Sequence, residues 1–320
     1  MRGALHAEVR RLASRRLTLV ALVVLVAIIG LFQLSVADMV SPPSAADRQL
    51  AQQQAEEERV EWEAHHEEWE QACRDDGGSA ADCAMPAPTA SDWIDGPYPF
   101  SESAAVAVSF GVYLTGLVAF LVAASFVGAE FTTGSLANWL TFVPRRSTVF
   151  VSKLTVVAAF SLLLGLLAAA LTVGAAVLIT SAYGQPLSGL GEVVQMAARG
   201  ALVSLILGVL GFCCAMLTGS TGASVGILLG GLFALFARGI VLFAAGWAAR
   251  LSPWSPEVNA QAIVEHGTTY WLPTPGSTWD DDSEGIERQL SFAHGLGYWS
   301  VVLAAVIVVS WLLFRRRDLS

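Results

Sequence analysis

A chain of 320 residues that is 54% hydrophobic, with a mean hydropathy of +0.58, is too apolar to be soluble throughout, and its net charge of −9 gives nucleic acid no electrostatic footing. The apolar residues gather in runs long enough to cross a hydrocarbon core of ~30 Å at ~1.5 Å per helical residue. Lipid offers no partner to an unpaired backbone group, so these runs are expected to be helices and the fold class an all-α polytopic membrane protein.

Arg2, Arg10, Arg11, Arg15 and Arg16 lead into a first span over Leu17 to Val36. Basic residues, an apolar run and Ser35-Val36-Ala37 before Asp38 also resemble a secretory signal and its cleavage site. Signal cores are shorter, at ~7–15 residues, so an uncleaved first helix closing a unit at residues 1–37 is the reading.

Residues 38–103 form an acidic insert. Its first 63 positions, 38–100, hold 15 acids against Arg48, Arg59 and Arg74, a net charge of −12 that keeps it in water. The Gln, Glu and Ala content from Ala45 to Arg74 favours helix. Trp62, His65, His66, Trp69 and Cys73 recur on one helical face, which must pack on something. A metal site of His65 and His66 with Glu61 or Glu70 is the alternative, against which stands that two adjacent histidines rarely point at one ion. Cys73 and Cys83 bracket a polar turn with Gly77 and Gly78, and an exterior location would keep a disulfide closed.

Further spans are read at Ala104–Val127, Leu154–Ile179, Ala197–Leu217, Ala223–Ala249 and Leu296–Phe314. The second to fifth make a unit over 104–249, and Cys213 and Cys214 within it act as small hydrophobes without chemistry. Residues 250–295 carry Pro253, Pro256, Pro273, Pro275 and Asp280–Asp282, which interrupt regular structure, while Trp254, Trp271 and Trp279 suit a membrane–water interface. Residues 296–320 are the last span and a tail with Arg315, Arg316 and Arg317. Adding Arg145, Arg146 and Lys153, 11 of the 18 basic residues fall on one side, with Glu8, Glu130 and Asp318 as its only acids. The positive-inside rule makes that side cytoplasmic and puts both termini there, with six crossings.

Lys153 is the chain's only lysine and is followed by Leu154, so no phosphate-cradling G-x-x-x-x-G-K-[ST] loop exists. Neither H-E-x-x-H nor G-x-S-x-G occurs, which disfavours an intramembrane hydrolase, and no metal or other cofactor is expected. Arg238 lies about 15 residues into the fifth span. A guanidinium at that depth costs at least ~2.5 kcal/mol without a partner, so it either serves the interior or snorkels to the outer interface where the helix breaks near Gly239.

Between the second and third spans, the segment FVGAEFTTGSLANWLTFVPRRSTVFVSK at 126–153 reads as a short helix flat on the cytoplasmic side. Its order of Gly128, Glu130, Gly134, Leu136, Pro144, Arg145, Arg146 and Lys153 resembles the permease subunits of type-2 ABC exporters. The closing Phe314-Arg315-Arg316-Arg317-Asp318-Leu319 resembles their basic-Asp-hydrophobic tail. The resemblance implies a coupling helix at about 129–142 that docks into a separate ATPase subunit, with Phe131, Leu136, Trp139, Leu140 and Phe142 as its apolar face. Glu130 is expected at the start of that helix, where the dipole favours a carboxylate, and able to pair with the partner. The family also implies a dimer of permeases in the plasma membrane, a path that Arg238 could line, and short helices on the outer surface between the fifth and sixth spans. The large acidic insert departs from the pattern. The rival reading is a membrane sensor or assembly factor that uses that insert to recognise a partner and transports nothing.

Overall fold

In a computed structural model the described residues are 2–94, 96–142, 145–244, 246–272 and 286–317. They form ten α-helices: α1 (Arg2–Ala13), α2 (Arg16–Val40), α3 (Ala45–Asp75), α4 (Phe100–Thr132), α5 (Ser135–Phe142), α6 (Arg146–Ala182), α7 (Leu190–Thr218), α8 (Thr221–Ala244), α9 (Pro256–Val264) and α10 (Phe292–Arg316). Helices α2, α4, α6, α7, α8 and α10 are long and apolar enough to span a membrane, the stretch in α8 running over Thr221–Ile240. All-α is nearly right. Strands β1 (Gly267–Leu272) and β2 (Ile286–Ser291) pair antiparallel, from Gly267 opposite Ser291 to Leu272 opposite Ile286, where short helices alone were expected. Two 3-10 segments, Ala90–Trp93 and Gly246–Trp254, complete the secondary structure.

The core of the bundle is α4, α6 and α7, with α2 across α4 and α6. With no water to squeeze out between helices, close approach depends on small residues. A Cβ on Gly165 of α6 would lie 2.8 Å from the Cα of Ala201 on α7, and one on Gly211 of α7 would collide with the main chain of Phe120 on α4. Helix α7 is the most enclosed of the spans and α8 the least. On α8, Leu229, Phe233, Phe236 and Ile240 recur along one face and are exposed.

The polar segments collect at opposite ends. At one end lie α3, α9 and the β pair; Arg199 of α7 donates to the Val264 carbonyl of α9 at 3.0 Å. Helix α3 starts in a capping box, in which Ser44 Oγ accepts from the Asp47 N–H and the Asp47 carboxylate accepts from the Ser44 N–H. The predicted aromatic stripe of α3 packs on the returning segment: Trp62 Nε1 donates to the Met85 carbonyl at 3.1 Å, and Cys73 is joined to the buried Cys83 by a disulfide. His65 and His66 each bond the carbonyl four residues back, Glu61 and Trp62, through Nδ1 and stack on Trp69 and Trp62 respectively.

At the other end, α1, α5 and the start of α6 meet the last turns of α4, α7 and α10. Helix α4 ends where Thr132 and Thr133 donate their hydroxyls to the carbonyls of Gly128 and Ala129, and Gly134 adopts the left-handed φ of 67° that a helix terminus favours.

Candidate functional site

A cluster of buried charge lies at this second end. Lys153 sits about two turns into α6, its side chain fully enclosed. Its Nζ donates to Glu8 Oε2 of α1 at 2.8 Å and lies 2.7 Å from Glu130 Oε2 of α4. Arg11, one turn beyond Glu8, approaches the other oxygens of both carboxylates, at 3.8 Å from Glu8 and 3.6 Å from Glu130. Glu8 and Glu130 are 0% and 4% exposed, so the two carboxylates and the buried ammonium lie almost out of water, with the partly exposed Arg11 guanidinium completing the charge balance.

Aromatic rings surround the cluster and carry it to α5. Arg11 lies 5.0 Å over the Trp139 ring, and Lys153 and Arg15 lie 4.8 and 5.3 Å from the Phe126 ring. Arg15 also donates to the Ser125 carbonyl at 2.8 Å. Leu136 of α5 is buried in the same core, with Phe131 and Trp139 packed against it. Ala137, Leu140 and Phe142 have no described side chains, and Pro144 lies outside the described residues, as do Asp318 and Leu319 of the tail, Trp279 and Asp280–Asp282.

Two corrections follow. The short helix starts at Ser135, not near residue 129, and Glu130 belongs to the last turn of α4 rather than to the start of α5. No helix N-terminus favours its charge there, and Glu130 is bound within the chain by Lys153 and Arg11. Gly128, near the end of α4 as expected of a residue leaving the second span, lets α4 approach the α7–α8 junction, since a Cβ there would clash with Thr221.

The remaining basic residues divide. Arg145 is exposed ahead of α6. Arg146 reaches the end of α10, where Nη1 donates to the carbonyls of Phe314, Arg315 and Arg317 at 3.1, 3.0 and 2.6 Å. Arg317 in turn donates to the carbonyls of Met216, Leu217 and Thr218 at the end of α7, with its guanidinium 5.2 Å over the Phe131 ring. Each arginine thus satisfies carbonyls that a helix C-terminus leaves without partners.

Arg238 stands in the last third of α8, which stops at Ala244 before the chain turns into the 3-10 segment at Gly246. Its guanidinium pairs with the Glu257 carboxylate of α9 and donates to Ser252 Oγ at 3.0 Å. Both partners lie at the acidic end of the bundle.

Sequence reasoning gave Glu8 no role. The available signal was that it is the only acid among the first 37 residues, as Lys153 is the only lysine anywhere.

Six apolar helices, a short helix between the second and third of them and a chain matched from residue 5 to residue 319 by the model of the ABC-2 family transporter protein family agree with one another. The chain belongs to the ABC-2 transporter family. It is an ABC-2 permease, of a class that typically lacks an ATPase domain of its own. No curated protein matches the chain significantly. In this permease the charged cluster joins α1, α4 and α6.

Proposed function

We propose that this permease is the path-forming subunit of an ATP-driven exporter, working as a dimer in the plasma membrane with two copies of a separate ATPase subunit. The family match over residues 5–319 carries the reading. The basic end is cytoplasmic, by the positive-inside rule, and the acidic insert and the β pair are extracytoplasmic. The bare apolar face of α8 is available to lipid and to a second permease.

Helix α5 is the coupling helix. Its exposed residues Asn138 and Thr141 meet the ATPase, and its buried side grips the bundle through Leu136 and through Trp139 on Arg11. Displacement of α5 then passes through Arg11 of α1 into α4 by way of Glu130 and into α6 by way of Lys153, the three helices the cluster ties together. Glu130 is a positioning residue, acting through its neighbours and making no contact with the partner.

The test separates docking from transmission. Cysteine at Asn138 should cross-link to the ATPase. Glu130→Ala should leave that cross-link and copurification intact while uncoupling ATP hydrolysis from export in reconstituted vesicles. Loss of ATPase binding in Glu130→Ala would return the carboxylate to the partner surface, and wild-type export would remove it from coupling altogether. Failure of Asn138 to cross-link in a functional complex would reject α5 as the docking element.

A further inference from the structure

The acidic insert holds a cleft that none of the preceding functions uses. Helix α3 and the segment returning through residues 85–93 border an open cleft of about 430 Å³, the size of a small-molecule site. Glu58, Glu61, Trp62 and Trp69 line it from α3, with Asp92 and Trp93 opposite. Its walls are tied to each other: Trp62 is bonded to the Met85 carbonyl, the Met85 N–H donates to Glu70 Oε1 at 3.2 Å, and the disulfide joins the end of α3 to the returning segment just ahead of Met85. Trp69 and Trp93, both lining the cleft, are 38% and 43% exposed, which leaves indole surface uncovered.

The charge of this cleft is not neutralised from within. Arg59 pairs with Glu56 and Glu63, and Arg74 with Glu70, while among the described residues Glu58, Glu61 and Asp92 form no salt bridge. Hydrogen bonds from the Thr89 backbone N–H and hydroxyl hold the Asp92 carboxyl below the usual carboxylate range, so it stays anionic. An anion would be repelled here, and a neutral apolar group would gain nothing from the carboxylates. An organic cation satisfies both features, since indole faces attract a positive group through the ring quadrupole and the carboxylates draw it in from solution.

We propose that this cleft binds a small organic cation of the alkylated or quaternary ammonium class, with Trp69 and Trp93 against the charged group and Glu58, Glu61 and Asp92 around it. Binding here is independent of ATP and of the second permease.

Calorimetric titration of the full chain in a non-ionic detergent, free of choline lipids, tests this with choline as probe. Its neutral carbon isostere, 3,3-dimethyl-1-butanol, is the control. Choline should bind saturably and about tenfold more tightly than the alcohol, and added salt should weaken it. Trp93→Ala and Glu61→Gln should each weaken it roughly two- to fivefold without altering the disulfide. Glu61→Gln, at an exposed helix position, decides the matter if Trp93→Ala fails to fold. Absence of saturable binding at millimolar choline, or equal affinity for the alcohol, overturns the proposal. So does choline binding unmoved by Glu61→Gln and by salt, which would place the cation elsewhere.

Discussion

At the basic end of the bundle Glu8, Glu130 and Lys153 are withdrawn from water and held by partners far apart in the chain, whereas along α3 the ion pairs are in water and span one helical turn. Arg59 reaches Glu63 at 3.1 Å and Arg74 reaches Glu70 at 3.0 Å, with both arginines about half exposed. Such pairs contribute ~0.3–0.5 kcal/mol each and could be lost one at a time. The buried cluster has no such independence. Each charge is tolerated only because the others are in place, so it fastens α1, α4 and α6 together as a unit. Charge serves the acidic end as a solvated surface and the basic end as a joint.

The difference is tested most severely at Lys153. Lys153→Met leaves two carboxylates facing each other out of water, and removing one partner from a buried pair costs ~3–5 kcal/mol. A large fall in the thermal midpoint of the detergent-solubilised protein is expected. The triple variant Lys153→Met, Glu8→Gln, Glu130→Gln should recover most of it. A single variant as stable as the wild type would mean that the cluster is solvated in the membrane.

Next in size is the disulfide of the acidic insert. Cys73→Ser with Cys83→Ser opens a loop whose closure stabilises by at most ~3 kcal/mol on the chain-entropy account. The loss should be confined to the insert, appearing as faster proteolysis between α3 and α4 while the bundle keeps its midpoint. A fall in bundle stability as well would erase the distinction between the two regions.

Arg146→Gln removes three donations to the end of α10. Bonds from a charged donor contribute ~1.5–3 kcal/mol, though a helix end can turn to water instead, and the lower figure is expected. Faster amide exchange over the last turn of α10 is the readout. The smallest effect is acid loosening of the α3 start. The Ser44 side chain and backbone bonds hold the Asp47 carboxyl below its ordinary range, so its capping contribution is complete above that range and disappears as pH falls through the lowered value. Fraying of α3 should begin only below the ordinary aspartate range, and should begin earlier in Ser44→Ala.

The spans were legible because a run of apolar residues as long as a bilayer has few other uses. Their ends were less so: α4 starts at Phe100 and runs to Thr132, past both limits set by hydropathy, because helices stop where caps and glycines stop them. The fifth span misled in the other direction. Its apolar residues continue to Ala249, whereas α8 stops at Ala244 and the chain goes on as a 3-10 segment from Gly246. The β pair was hidden by the 13 residues between its strands, although Thr268, Thr269, Tyr270 and Trp271 are β-favouring types. At the basic end, charge could be read from the sequence only as a count, and a count has no depth. Nothing local to Lys153 says that it is turned inward to meet a residue 145 positions earlier.

That separation orders events during synthesis. Glu8 and Arg11 leave the ribosome long before Glu130 and Lys153, and the amine that balances both carboxylates is the last of the four to be made. Helix α1 therefore has no docked state to adopt until the third span is being inserted. A nascent chain arrested short of Lys153 should leave α1 open to protease, and one arrested well beyond it should not, so α1 becomes a report on whether the middle of the protein has been threaded correctly.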